Sequence, residues 1–268
     1  TEIRFRLPAT AEAHVILQAE NETATVTVFF GDYQGRHSVT MAPGQPVTIP
    51  IKRTERMANA LLHRQLPPHH RFAPELVRIC LLGHLVTILE VTGQDITPPE
   101  PDDAPARRLL CCGSSITHGC FASTPQMTYP AQLGFRLGMD VVNLGLRGGF
   151  QAEPELADYL AARPDWQTRR LAVSDPARQV FAISLFPSWR DLSEAGDNMK
   201  FHQAQSKRDL LKQAVQENNL PNLHFCHGPQ LMPTFQGLGD DLLHIGDHGF
   251  VQIAEYLAPI IRKQLSQS

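Results

Sequence analysis

The first 95 residues alternate between apolar and polar positions with a period of two. Seven short runs show the alternation, and turn-forming residues separate them: EIRFRL, HVILQAE, TATVTVFF, HSVTM, PVTIPI, LVRICLL and LVTILEV. A period of two places neighbouring side chains on opposite faces of a strand. The pattern predicts about seven or eight antiparallel strands in a β-sandwich or jelly-roll domain over residues 1–95. It also predicts one helix from Thr54 to Gln65.

A different pattern begins near residue 109. Four apolar runs, RLLCCG, DVVNLG, QVFAISLF and NLHFC, alternate with amphipathic segments at residues 130–137, 154–162, 206–217 and 248–264. Strands that are apolar throughout and alternate with helices are typical of a parallel sheet covered on both faces. We therefore predict a three-layer α/β domain, flavodoxin-like in its layers, over residues 109–268. The proline-rich residues 96–108 predict a linker without regular structure.

Composition and charge narrow the classes of function. The chain has 268 residues, 42% of them hydrophobic, and a formal net charge of −3, which is typical of a globular protein without a nucleic-acid-binding surface. No apolar run approaches the ~20 residues of a membrane helix. The five cysteines have no framework spacing and favour buried reduced thiols, with a catalytic or metal-binding thiol as the alternative. We expect a cytoplasmic protein without membrane or nucleic-acid partners, and its oligomeric state stays open.

The first apolar strand of the second half ends in a Gly-Ser-Ser turn, from Gly113 to Ser115. Ligands of such sheets bind beyond the carboxyl ends of the strands. The hydroxyl of Ser115 would stand clear of the backbone there, in the position of a nucleophile. Serine and glycine are also ordinary turn residues, so the sequence alone fits either a nucleophile or a plain structural turn.

A second pair of reactive groups precedes the last predicted helix, in the segment from Asp241 to His244. A serine nucleophile needs a base to take its proton, and the imidazole needs a carboxylate to fix its tautomer. Asp247 and His248 offer the same two groups. Their position at the start of the helix favours a capping role for them instead.

Together these two segments resemble the SGNH (GDSL-like) hydrolase superfamily. Its first block is Gly-Asp-Ser-x-x-x-Gly, which aligns with Gly113-x-Ser115-x-x-x-Gly119, and its last block is Asp-x-x-His. Ser114 stands where the family usually has Asp. The stretch GSSITHGCFASTPQMTYPAQLGFRLGMDVVNLGLRGG is similar to a bacterial branch that has a β-sandwich before the hydrolase domain. The resemblance covers residues 109 to about 166 and 178–264.

The resemblance implies a role for several residues. Ser115 would be the nucleophile, His244 the general base and Asp241 the carboxylate that orients the imidazole. The backbone N–H groups of Ser115 and Gly148 would bind the oxyanion. We also expect His118, inside the nucleophile turn, and Arg147, near a strand end, to contact the substrate. No metal and no organic cofactor is implied.

One part of the family pattern is missing from this sequence. The third family block is a central strand that ends in Gly-x-Asn, and only Asn198, expected to be a loop residue, offers a substitute. Loss of that strand would leave its neighbours about 9–10 Å apart, twice the pairing distance, with unpaired backbone between them. We therefore predict that a segment is missing from the sequence near residues 166–168.

The predicted function is a serine esterase that acts on small acyl esters, including acyl groups on carbohydrates. Two alternatives stay open. An acyltransferase would use the same three residues and an acceptor alcohol, and a degenerate SGNH domain would bind glycans without turnover. Intact Ser115, Asp241 and His244 favour an enzyme.

Overall fold

The computed structural model describes residues 2–66, 70–83, 85–149, 155–156, 158–159, 179–192 and 198–267. The chain divides into two compact units. The first comprises Thr1–Leu109, Thr124–Gln126 and Gly138–Val142, and the second comprises Leu110–Ser123, Met127–Leu137 and Asn143–Ser268. The domain boundaries drawn from the sequence stay a prediction.

Seven strands lie where the alternating pattern predicts them: β1 (Glu2–Arg6), β2 (Glu12–Ala19), β3 (Ala24–Phe30), β4 (Tyr33–Met41), β5 (Pro46–Lys52), β6 (Leu76–Leu82) and β7 (Val86–Gly93). They form two sheets, in the orders β1-β6-β3-β4 and β5-β2-β7. The pairings within both sheets are antiparallel. One hydrophobic core contains residues of both sheets, such as Val26 and Ile79 from one and Val15, Leu17 and Ile49 from the other.

Helix α1 (Glu55–Leu62) lies between β5 and β6, within the range predicted for it. Thr54 caps its first turn, because the Thr54 hydroxyl accepts a hydrogen bond from the N–H of Met57. Such a cap satisfies one of the backbone donors that a helix start leaves unpaired.

The proline-rich segment 96–108 is attached to the first unit. It contains a 3₁₀ turn, Pro101–Asp103, and the Asp103 side chain is buried. The Asp103 carboxylate accepts hydrogen bonds from Arg6 at 2.6 Å and from the N–H of Glu100 at 2.7 Å. The linker prediction did not foresee these contacts, because the partner Arg6 lies 97 residues away in the sequence.

Beyond this segment the chain alternates between strands and helices: β8 (Arg108–Gly113), α2 (Ser115–His118), α3 (Tyr129–Leu137), β9 (Asp140–Gly145), β10 (Val180–Ile183), α4 (Asn198–Asn218), β11 (Leu223–Cys226), α5 (Gly228–Leu231) and α6 (Asp247–Leu265). Helices α3 and α6 pack against each other. Among the described residues, β8 pairs with β9, and β10 pairs with β11 in parallel.

Helix α4 begins at Asn198, eight residues before the predicted start, so the expectation that Asn198 is a loop residue was wrong. Within the predicted part of α4, Arg208 is buried, and its guanidinium donates to both carboxylate oxygens of Asp191 and to the carbonyls of Leu185 and Phe186. These contacts anchor α4 to the segment that follows β10.

Two predictions fall on parts of the chain outside the described residues. The helix over residues 154–162 lies largely there, and the segment expected to be missing near residues 166–168 lies there entirely. Both stay predictions. Of the helices that the structure describes, none has both the length and the apolar character that a membrane crossing requires.

Candidate active site

Ser115 is the first residue of α2, directly after β8 and a single intervening residue, Ser114. A Cβ atom at Gly113 would overlap the Thr117 side chain, so the turn between strand and helix requires glycine there. Gly119 ends α2 in the left-handed conformation, with φ 101°, which glycine adopts without strain. The sequence Gly-Ser-Ser-x-x-x-Gly therefore folds as a tight strand–helix turn that presents Ser115.

The carboxyl end of β9 holds this turn in place. The side-chain amide of Asn143 donates to the Thr117 carbonyl at 2.8 Å, and its oxygen accepts from the N–H of Gly145 at 2.9 Å. Nδ1 of His118 donates to the Gly145 carbonyl at 3.2 Å. Sequence reasoning missed Asn143, although an amide side chain inside the apolar run DVVNLG was a visible signal.

The second reactive segment is a turn closed on itself, from Gly239 to His244. The N–H of Gly239 donates to the His244 carbonyl at 2.8 Å, and Leu242 adopts a left-handed φ of 53° inside the turn. Oδ1 of Asp241 accepts the N–H groups of Leu243 at 2.9 Å and His244 at 2.8 Å. Aspartate commonly stabilises turns in this way, by accepting from backbone groups two and three residues further on.

The two segments bring Ser115, His244 and Asp241 into one line of hydrogen bonds. Nε2 of His244 lies 2.9 Å from Oγ of Ser115, and Nδ1 of His244 lies 2.6 Å from Oδ2 of Asp241. A carboxylate can only accept, so Nδ1 carries the proton and Nε2 is left to accept from the serine hydroxyl. The arrangement can withdraw the proton from Oγ and stabilise the imidazolium that results.

The Asp241 carboxyl is fixed in its ionised form. Burial acts in the opposite direction, but the hydrogen bonds from the His244 side chain and from the N–H groups of Leu243 and His244 lower the pKa of Asp241. The side chain is 36% exposed, and that of His244 is 24% exposed. Solvent can therefore reach both side chains.

The alternative acid–base pair is used elsewhere. The Asp247 carboxylate accepts the N–H of Ser123 at 2.8 Å, while His248 is exposed on the first turn of α6. Gly246 is the N-cap of that helix, one residue before the predicted cap Asp247. The structure thus brings Asp241 and His244, rather than Asp247 and His248, to Ser115.

The remaining predicted site residues lie close to α2 in the fold. Arg147 and Gly148 belong to a 3₁₀ turn, Arg147–Gly149, that follows β9 and contacts α2. The N–H of Leu146 donates to the Gly113 carbonyl at 2.9 Å, which ties this turn to the end of β8. The backbone of Gly148 is exposed. His118 is the last residue of α2, and its Nδ1 donates to the Gly145 carbonyl.

Two of the buried cysteines, Cys111 and Cys226, are not poised as nucleophiles. Burial raises the pKa of the Cys111 thiol to about 12 and that of Cys226 to about 11, so both stay protonated near neutral pH. All five cysteines are free thiols. Among the described residues, no group of three or more His, Cys, Asp or Glu side chains is placed to hold a metal ion.

Comparison with known proteins finds a family resemblance in one part of the chain. Residues 106–164 match the GDSL-like lipase/acylhydrolase family. This GDSL-like segment contains Ser115, Asn143 and Gly148, whereas Asp241 and His244 lie outside it. The hydrogen bond between Ser115 and His244 is therefore an observation independent of the family match. No curated protein sequence matches the chain.

Solved structures of similar fold cover almost the whole chain. A candidate GDSL-like lipase from Bacteroides ovatus ATCC 8483 has a TM-score of 0.66 and 19% identity, over 99% of this chain and 84% of that one. The salicylyl-acyltransferase SsfX3 of a tetracycline biosynthetic pathway has a TM-score of 0.67 and 15% identity, over 98% of this chain and 81% of that one. A family two carbohydrate esterase from Clostridium thermocellum, in complex with cellohexaose, has a TM-score of 0.56 and 14% identity, over 99% of this chain and 92% of that one.

At these identities the likeness establishes a shared fold and nothing finer. The fold and the match at residues 106–164 together support a relationship to the GDSL-like lipase/acylhydrolase family.

Proposed function

We propose that this protein is a serine ester hydrolase in which Ser115 is the nucleophile, His244 the general base and Asp241 the carboxylate that orients the imidazole. The observation that carries the proposal is the unbroken line of hydrogen bonds from Oγ through Nε2 and Nδ1 to Oδ2, at 2.9 and 2.6 Å. Its two halves come from separate turns that the chain brings together, and this geometry is that of a nucleophile with its base and orienting group.

In the first half of the reaction, Oγ of Ser115 forms a bond to the carbonyl carbon of the ester while its proton passes to Nε2 of His244. The carbonyl oxygen becomes an oxyanion. Nε2 then gives the proton to the alkoxy oxygen as the carbon–oxygen bond breaks, and the alcohol leaves. Asp241 stabilises the imidazolium between these two steps.

In the second half, a water molecule gives a proton to Nε2 and attacks the acyl-enzyme, and the proton returns to Oγ as the acid is released. The N–H groups of Ser115 and Gly148 are the proposed oxyanion donors. Removal of one such donor typically lowers kcat by ~10²–10³. A site that lacks the third-block asparagine would therefore be slower without being inactive. The chemistry as proposed uses no metal and no organic cofactor.

The proposed substrates are small acyl esters, including acyl groups on carbohydrates. Two of the proteins with this fold are a carbohydrate esterase seen with cellohexaose and an acetyl xylan esterase from Butyrivibrio proteoclasticus. The proposed contacts to substrate are Arg147, at the turn beside α2, and His118. The side chains of His244 and Asp241 are partly exposed, which is consistent with a soluble small-molecule substrate.

The experiment that tests the proposal is hydrolysis of p-nitrophenyl acetate and longer acyl esters by the wild type, Ser115→Ala and Ser114→Ala. We expect Ser115→Ala to lose at least ~10³ in kcat, because loss of a triad member leaves only the oxyanion site and binding. Ser114→Ala is the matched control, since this neighbouring hydroxyl makes no side-chain hydrogen bond at the start of α2. Equal, negligible turnover in wild type and Ser115→Ala would refute the esterase and favour either a glycan-binding role or a transferase that lacks its acceptor.

An acyltransferase is the second candidate function, and the fold shared with a salicylyl-acyltransferase favours it. Both activities pass through the same acyl-enzyme and differ in what attacks it. Adding an alcohol acceptor, such as a monosaccharide, to the assay and measuring the ratio of ester to acid products separates them. A transferase would form mostly ester at millimolar acceptor, whereas a hydrolase would form mostly acid.

A further inference from the structure

The aromatic ring of Phe121 lies flat against the imidazole of His244. The two ring centroids are 5.6 Å apart and the ring planes differ by 10°. Phe121 is 50% exposed, so it does not belong to the hydrophobic core. Its position three residues after α2 places it between the turn that carries Ser115 and the turn that carries His244.

The same ring also contacts the other end of the His244 turn. A Cβ atom added to Gly239 would lie 2.6 Å from the Phe121 ring, so the ring rests directly on the Gly239 backbone. Gly239 and His244 are the two residues whose backbone hydrogen bond closes the turn. Phe121 thus touches both ends of the segment that holds the base.

The backbone of Phe121 is held in an unusual conformation. Its φ is 71°, in the left-handed region that residues with a Cβ rarely adopt. Hydrogen bonds fix the chain on both sides: the N–H of Cys120 donates to the Ser115 carbonyl, and the N–H of Ser123 donates to Asp247. A half-exposed side chain in such a conformation is typical of a position where function sets the geometry.

We propose that Phe121 is a positioning residue for His244. Its ring fixes the plane of the imidazole so that Nε2 points at Oγ of Ser115, and its face stabilises the imidazolium that forms as Oγ loses its proton. Flat aromatic contacts restrict ring rotation, and the electron-rich face of a phenyl ring attracts a cation within about 6 Å. This inference rests on the proposed hydrolase function.

The size of the effect follows from the imidazolium that forms during the reaction. At an exposed site the attraction between a phenyl face and a cation corresponds to a loss of ~2–5-fold in kcat/KM when the ring is removed. Asp241, which faces Nδ1, and Asp247, which holds Ser123, stay unchanged in both proteins.

The test compares Phe121→Leu and Phe121→Tyr with the wild type. Leucine keeps an apolar side chain with a Cβ at the same φ but has no aromatic face, whereas tyrosine keeps the face and should restore kcat. Phe135→Ala is the matched control, because it removes another exposed phenyl ring, on α3, outside the proposed site. We expect the loss in Phe121→Leu to fall on kcat rather than on KM.

A second readout needs no turnover. The ring protons of His244, followed by NMR, should lose the upfield ring-current shift of the stacked phenyl in Phe121→Leu and keep it in Phe121→Tyr. An unchanged kcat together with an unchanged His244 spectrum in Phe121→Leu would overturn the inference. A wild type without turnover whose His244 signals still move in Phe121→Leu would instead refute the hydrolase while leaving the stacking intact.

Discussion

At the scale of single residues, Asp241 divides its two oxygens between two tasks. Oδ1 accepts the N–H groups of Leu243 and His244 and so shapes the turn, while Oδ2 accepts Nδ1–H of the imidazole. One carboxylate therefore fixes both the path of the backbone and the tautomer of the base. The two tasks can be separated by substitution, because an amide still carries one accepting oxygen.

We expect Asp241→Asn to lower kcat/KM by ~10²–10⁴ with little change in melting temperature. The amide oxygen can replace Oδ1 in the turn, but the NH₂ group would face Nδ1–H, which favours the wrong tautomer. Asp241→Ala removes both interactions and should lower activity and melting temperature together. Steady-state kinetics with thermal unfolding checks this, and more than a tenth of wild-type activity in Asp241→Asn would contradict the role.

At the scale of elements, the position of Ser115, the proposed nucleophile, depends on how closely α2 approaches the end of β9. A Cβ atom at Gly145 would overlap the backbone of His118, so the helix can rest on the strand only at a glycine. Asn143 then holds the two elements together through hydrogen bonds to Thr117 and Gly145. Ser115 is thus positioned by a strand that contributes no reacting group.

Gly145→Ala should displace α2 and lower kcat/KM by about 10²-fold, the typical effect of misplacing a reacting group by ~1 Å. The overlap with backbone should also destabilise the fold by about 1–3 kcal/mol. Gly149→Ala is the control, since a Cβ there meets nothing within 4 Å. Kinetics and urea unfolding of the two variants test this, and wild-type activity in Gly145→Ala would show that α2 does not rest on β9 as described.

At the scale of the whole molecule, a cluster of partly buried charges stabilises the first unit. The Glu2 carboxylate accepts from Arg78 at 2.5 Å and from Arg4 at 2.7 Å, and Arg4 also donates to both oxygens of Asp140. Burial opposes ionisation, yet Arg78 and Arg4 lower the pKa of Glu2 from 4.5 to about 2. Because this pKa is lower in the folded than in the unfolded chain, the ionised carboxylate stabilises the fold above pH ~4.5.

Stability should therefore fall as the pH drops through about 4.5, where the unfolded chain begins to bind the proton, and through about 2, where the folded chain binds it too. Glu2→Gln should be less stable than wild type by about 1–3 kcal/mol at pH 7, and the difference should shrink below pH ~4.5 and be lost only below pH ~2. Urea unfolding followed by circular dichroism at several pH values measures this. A constant difference from pH 7 to pH 2 would assign the effect to packing rather than to charge.

The sequence predicted what depends on local patterns. Alternation placed the seven strands of the first unit, and β9 has the predicted bounds, since side-chain periodicity and turn residues act over a few positions. The pairing of Ser115 with Asp241 and His244 was expected only through the family resemblance. The sequence did not predict the long-range polar contacts, because no periodicity relates their partners. These contacts join Arg208 to Asp191, Arg6 to Asp103 and Asn143 to Thr117.

The sequence did not predict the role proposed for Phe121, for a related reason. A single aromatic residue in a polar loop has no periodic partner, and its function depends on the Gly239 turn that the fold brings to it. Both the polar contacts and this stacking are properties of distance in space rather than of spacing in sequence.

The reacting groups join over very different lengths of chain, and this orders events in time. Asp241 and His244 lie 3 residues apart and can find each other in a short peptide, whereas Ser115 and His244 lie 129 residues apart. Closing the longer loop costs more chain entropy and waits for non-local contacts. We therefore expect the proposed base and its carboxylate to come together before Ser115 reaches them, so that a refolding chain gains activity only after its distant contacts have formed.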